Sequence, residues 1–148
     1  MKLGLKCNIE DHQFLDRIER NPDIIEFHLR EEDLFGENRK RLESRIEFCV
    51  IKKIKVFLHQ PMSICGETLN IVAKEPLRIH YLEVTTLLLK ELCLKYKIKC
   101  VIHLNYGQVK REYELYDKNK DTKYQSEYLV NKTIEFLNRH DKNREFIL

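Results

Sequence analysis

Glycine and proline are scarce, at four and three of 148 residues. No low-complexity tract or repeat of solenoid length runs through the chain. No apolar run approaches the roughly 20 residues that a membrane helix needs. Lys6 breaks the apolar start, so no signal peptide is predicted. The five cysteines, Cys7, Cys49, Cys65, Cys93 and Cys100, contain no C-x-x-C pair. Their odd number, and the place of three of them inside apolar segments, point to reduced thiols and a cytoplasmic protein. No G-x-G-x-x-G follows the first strand and no P-loop is present, which removes the main support for a nucleotide-binding open sheet. Neither sign of charge dominates: 27 Lys and Arg face 24 Asp and Glu, leaving +3. That excess is too small to argue for nucleic acid. Runs such as Arg30-Glu31-Glu32-Asp33 and Asn38-Arg39-Lys40-Arg41 read as solvated surface. No Ser-His-Asp spacing stands out.

Two apolar runs, in contrast, end alike. Val56-Phe57-Leu58 delivers His59, followed by Gln60-Pro61, and Cys100-Val101-Ile102 delivers His103, followed by Leu104-Asn105. In parallel α/β folds the site lies at the carboxyl ends of the strands, so these histidines are the first candidates for chemistry.

Periodicity predicts strands over 3–8, 24–29, 55–59, 98–104 and 144–148. Helices are expected over 11–20 (Phe14, Leu15 and Ile18 inward, Asp11 as N-cap), 38–53 (Leu42, Ile46, Cys49 and Val50), 77–96 (Leu82, Thr85, Leu88, Leu89 and Leu92) and 123–140 (Tyr128, Leu129, Ile134 and Leu137). Asn21-Pro22-Asp23 breaks the first helix, and 34–37 reads as loop. The connection over 60–76, with Gly66 and two prolines, is of a length that is usually functional or mobile. Residues 105–122 are polar and irregular, although Tyr106, Tyr113 and Tyr116 could pack.

The alternation β-α-β-α-β-α-β-α-β predicts one α/β domain with a parallel sheet and right-handed crossovers. An open doubly wound sheet and part of a (β/α)8 barrel both satisfy it. Strand alternation puts Ile24, Glu26 and His28 on one face and Ile25, Phe27 and Leu29 on the other. Lys6 lies on the same face as Glu26, where an ion pair is one expectation. His12, His80 and His140 fall on helices or helix ends and read as surface residues.

Ile24-Ile25-Glu26-Phe27-His28, then Phe57-Leu58-His59-Gln60-Pro61, then Val101-Ile102-His103 resemble strands two, three and four of the xylose-isomerase-like TIM barrels, and the helix from Arg78 through Leu92 has the family look. That superfamily includes sugar isomerases, epimerases and the endonuclease IV type of apurinic-site nuclease. The resemblance implies a (βα)4-5 portion of a TIM barrel over 1–148, an N-terminal half, since a complete barrel has about 250 residues. It implies a sugar or sugar-phosphate isomerase or epimerase that uses a divalent metal, zinc, manganese or magnesium. Glu26 and His28 are the expected catalytic residues, Asn8 and Asn105 the expected substrate-binding residues, and His59 and His103 the expected metal ligands. In the epimerases the remaining ligands come from later strands. In the endonuclease branch the histidines of strands three and four, matched here by His59 and His103, are themselves zinc ligands. A non-catalytic half-barrel that serves assembly is a third expectation. Exposed sheet edges recruit partners, so a homo-oligomer or a complementary C-terminal half is also expected.

Overall fold

Burial alternates along the strands and divides the sheet into two unlike faces. The structure, a computed structural model, describes residues 2–71, 73, 75–103 and 122–147, and of 122–126 the backbone alone. Its elements are β1 (Gly4–Cys7), α1 (Asp11–Glu19), β2 (Ile24–His28), a 3-10 turn (Glu31–Leu34), α2 (Gly36–Ile51), β3 (Lys55–His59), β4 (Ser63–Ile64), β5 (Glu67–Thr68), α3 (Pro76–Tyr96), β6 (Lys99–Val101), α4 (Thr122–His140) and β7 (Phe146–Ile147).

Five strands form one parallel sheet in the order β1-β2-β3-β6-β7. Each strand of this sheet lies beside the one before it in the chain, with a helix in every connection. One register row, Cys7, Phe27, Leu58, Cys100 and Phe146, is buried throughout. The helices cover this face. Phe14 of α1 stacks on Phe27 with ring centroids 6.1 Å apart and meets Phe48 of α2 edge-on at 5.7 Å. Leu42 and Ile46 of α2, Leu89 and Leu92 of α3 and Phe136 of α4 join the same core. The opposite face carries the row Lys6, Glu26, Phe57 and Lys99. There Lys6 is 67% exposed and stands 3.4 Å from Glu26, the ion pair that alternation suggested.

Each connection from helix to sheet strand turns through a left-handed residue: Asn21 (φ 48°), Lys53 (φ 59°), Lys97 (φ 54°) and Arg144 (φ 59°). This conformation closes a helix end and reverses the chain toward the next strand.

Several local expectations shift. Residues 60–76 are not plain loop: β4 and β5 pair as an antiparallel hairpin. Cys65 (φ 51°) and Gly66 (φ 76°) form its two-residue turn, and both positive angles suit the twist of a tight hairpin. Over 34–37 the expected loop gives way to the 3-10 turn and the start of α2 at Gly36. Glu10, not Asp11, is the N-cap of α1. The Asn8 side chain turns the chain earlier by accepting the Glu10 N–H at 2.9 Å, while Asp11 pairs with Arg45. Leu15 (55% exposed), Val50 (46%) and Ile134 (50%) face outward, one position off the centre of their apolar stripes. Phe136, rather than Ile134, anchors α4 in the core.

All five cysteines are free, and four are buried. Burial pushes the thiols of Cys7 to about 11 and of Cys49 and Cys93 to about 12, and raises that of Cys100 as well. These four are packing groups rather than nucleophiles. Among the described residues, no helix is long and apolar enough to cross a membrane.

An ionic cluster links α2 to α3. Glu43 accepts from Lys95, from Arg39 at 3.0 Å and from the Tyr96 hydroxyl at 2.9 Å. Burial works against the Glu43 carboxylate, but these donors outweigh it and hold the group down at about 2. A depressed carboxyl stabilises the fold above its unfolded value of 4.5, and the contribution fades as pH falls from 4.5 toward 2. Glu43→Gln is therefore expected to lower stability at neutral pH by on the order of 1 kcal/mol and to flatten the acid limb of a urea-midpoint profile. An unchanged acid limb would contradict this assignment.

Candidate active site at the carboxyl ends of the strands

Register builds the site. His28 on β2 pairs with His59 on β3, which pairs with Val101 on β6. All three lie on the face that carries Glu26, away from the helices. His103 stands two residues beyond Val101, so strand alternation returns it to the same face. The three imidazoles form a row: the ring centroids of His28 and His59 are 4.1 Å apart, and those of His59 and His103 are 4.6 Å apart. His59 is 5% exposed, whereas His28 and His103 are open to solvent.

The hydrogen bonds assign protons within the row. His59 Nδ1 lies 3.1 Å from the Gln60 carbonyl, an acceptor, so this nitrogen carries hydrogen. Burial holds the His59 imidazole below its ordinary value against the pull of that carbonyl, and the neighbouring His28 and His103 act in the same direction as burial. A neutral ring with hydrogen on Nδ1 presents a lone pair on Nε2. His103 Nε2 lies 2.8 Å from that atom and donates to it.

Gln60 is the residue that sequence reasoning passed over. It is 3% exposed and makes three contacts between the strand ends. Its carbonyl takes His59 Nδ1, its N–H donates to the Val101 carbonyl at 2.9 Å, and its Oε1 accepts the His103 N–H at 3.1 Å. The signal was its place between His59 and the buried Pro61.

The hairpin flanks this end of the sheet. Glu31 of the 3-10 turn accepts the Cys65 N–H at 2.7 Å and the Cys65 thiol at 3.4 Å. Arg78 of α3 reaches Glu67 of β5 at 2.8 Å. Asp33, 3% exposed, closes the 3-10 turn by accepting the Arg30 N–H at 2.8 Å, and burial raises its carboxyl above the usual range.

Of the sequence candidates, Glu26, His28, His59 and His103 share one face. Asn8 ends β1 with its side-chain oxygen engaged by Glu10, and Asn105 lies outside the described residues. His12 and His80 are exposed as expected, but His140 is partly buried against Phe136, ring centroids 4.8 Å apart. Among the described residues, no group of three or more His, Cys, Asp and Glu side chains is arranged to hold a metal ion. The donor chemistry of the His59–His103 pair fits part of such a set: two imidazole nitrogens face each other, where a catalytic zinc takes three protein ligands.

No family model matches the chain, and neither a curated protein nor a solved structure is similar to it.

Proposed function

We propose that this chain supplies the histidine-bearing wall of a metal-dependent sugar or sugar-phosphate isomerase or epimerase, built as part of a barrel of the xylose-isomerase-like type. The 2.8 Å contact between the Nε2 atoms of His59 and His103 carries the reading. Strand order supports the barrel: the sheet runs without reversal, and the helices named above share one face. A doubly wound sheet reverses its order and carries helices on both faces. Parallel sheets are covered on both faces, so the Lys6–Glu26–Phe57–Lys99 face calls for a further layer. In this reading that layer comes from a second copy or a complementary half, and it brings the remaining ligands.

His59 and His103 would hold the ion through Nε2, with His103 moving its hydrogen from Nε2 to Nδ1 to free that lone pair. Imidazole donors favour zinc over magnesium, which prefers oxygen. When bound, the ion would supply Lewis-acid polarisation of a carbonyl and a neighbouring hydroxyl. The Gln60 carbonyl keeps the His59 hydrogen on Nδ1 and so leaves the Nε2 lone pair facing His103. Glu26, held 3.4 Å from Lys6, moves the proton at the adjacent carbon, and His28 donates to a substrate hydroxyl. The amide nitrogen of Asn8 donates to another hydroxyl at the rim.

The same histidine pair favours a second reading, an endonuclease IV-like phosphodiesterase, against which the charge of +3 weighs. The test is turnover by the zinc- or manganese-loaded full chain, with its solution mass determined in parallel. Isomerisation or epimerisation of sugars or sugar phosphates, abolished in His59→Ala, is expected, from a species heavier than 18.0 kDa. Incision of abasic DNA without sugar turnover would favour the second reading. A monomer of 18.0 kDa without turnover would overturn the enzyme reading and the pairing together.

A further inference from the structure

The opposite end of the sheet, at the edge of the face that carries Phe57 and Lys99, holds four lysines whose charges have no role in the reading above. The tripeptide Lys-Ile-Lys occurs at the start of two neighbouring strands, as Lys53-Ile54-Lys55 and Lys97-Ile98-Lys99. The two copies have the same conformation. Lys53 (φ 59°) closes α2 and Lys97 (φ 54°) closes α3, both left-handed. In each, the isoleucine N–H returns to the helix, Ile54 to the Cys49 carbonyl at 2.9 Å and Ile98 to the Cys93 carbonyl at 3.1 Å. Because β3 pairs with β6, the two turns lie side by side.

Between them is a cavity of about 340 Å³, lined by Lys53, Lys55, Lys97 and Lys99, by Phe57 and Tyr96, and by aliphatic side chains. That is within the size range of small-molecule sites, roughly 300–1,000 Å³. Among the described residues no carboxylate lines it, and none of the four lysines forms an ion pair. Lys55 rests over the Phe57 ring at 4.8 Å from its centroid. The carboxylates that reach the Tyr96 hydroxyl are Glu43 and Glu47, at 2.9 and 3.0 Å, and Glu43 is also bound by Lys95 and Arg39.

Four cations around one concave wall repel one another, and the low-dielectric wall focuses their field. Lysine is also a poor choice for a left-handed helix end, where glycine or asparagine is preferred. Its use in both turns places a charge at each corner of the cavity. The number of charges matches a polyvalent anion. Lysine binds phosphate oxygens as a mobile point charge. The apolar and aromatic part of the wall can receive an uncharged moiety next to the phosphates.

We propose that this end of the sheet is a second binding site, for a small polyphosphate anion of the pyrophosphate or nucleoside triphosphate class. The test is calorimetric titration of the full chain with pyrophosphate and with ATP, in metal-free buffer at physiological ionic strength. Saturable one-site binding is expected, retained in His59→Ala, which separates this site from the histidine row. It should weaken by about tenfold or more in Lys55→Gln/Lys99→Gln. A similar loss is expected in Lys53→Asn/Lys97→Asn, since asparagine tolerates the left-handed turn and keeps the fold. Tighter binding of ATP than of pyrophosphate would add the apolar wall to the site. Heats that do not saturate at physiological ionic strength, or binding that both double variants keep, would overturn the proposal.

Discussion

Phe27→Ala is expected to cost about 3–5 kcal/mol, the usual range for removing a buried aromatic ring. Phe27 is fully buried at the middle of β2, with Phe14 stacked on it and Phe48 beyond. The neighbours that would have to close the gap, Cys7 and Leu58, are fixed by strand pairing on either side. A domain of this size has about 5–15 kcal/mol in total, so the variant is left close to unfolding. Phe57→Ala is the matched contrast. Phe57 pairs with Glu26 on the other face, is half-buried and carries Lys55 over its ring. It is expected to cost about 1 kcal/mol in the isolated chain, because little packed volume is lost. Urea denaturation of the two variants, at a concentration low enough to keep the chain monomeric, reads the difference directly. Equal losses would mean that both faces of the sheet are packed.

That asymmetry was already legible in the sequence. The split of Ile24, Glu26 and His28 from Ile25, Phe27 and Leu29 needs no more than the two-residue period of a strand, and burial follows it. The alternation of strands and helices likewise sufficed for a parallel α/β sheet. The hairpin was not legible. Each of its strands has two residues, too few for any period to appear, and its turn is Cys65-Gly66 rather than the commoner Asn-Gly. Leu15, Val50 and Ile134 were misread because a residue adjacent to an apolar stripe is as hydrophobic as one within it, and position around the helix decides which is buried. His59 and His103 were legible as strand ends, but not their contact, which depends on the register that brings β6 beside β3. Gln60 escaped notice because its role is carried largely by its backbone groups.

His59→Ala is expected to weaken zinc or cobalt binding by at least about 100-fold. Loss of a group that merely orients a ligand costs 10–100-fold, and loss of the ligand itself costs more. His59 is buried, so its replacement also disturbs packing. His103→Gln avoids that problem: His103 is exposed, glutamine keeps a polar side chain at that place, and the His103 N–H can still reach Gln60. Metal affinity should fall in both variants while the unfolding midpoint of His103→Gln stays near that of the parent. His12→Gln, on the exposed side of α1, should leave affinity unchanged. Equal weakening in all three would mean that metal binds anywhere on the surface.

The most direct measurement is a zinc titration followed by long-range proton–nitrogen correlation of the six histidine rings. Before zinc, His59 is expected to carry its hydrogen on Nδ1, with Nε2 accepting from His103. On addition of zinc, the Nε2 signals of His59 and His103 should shift together and saturate at one equivalent, while His12, His80 and His140 stay in place. If His59 carries its hydrogen on Nε2, or if all six rings respond alike, the pair is not a metal-binding edge and the proposed site is wrong.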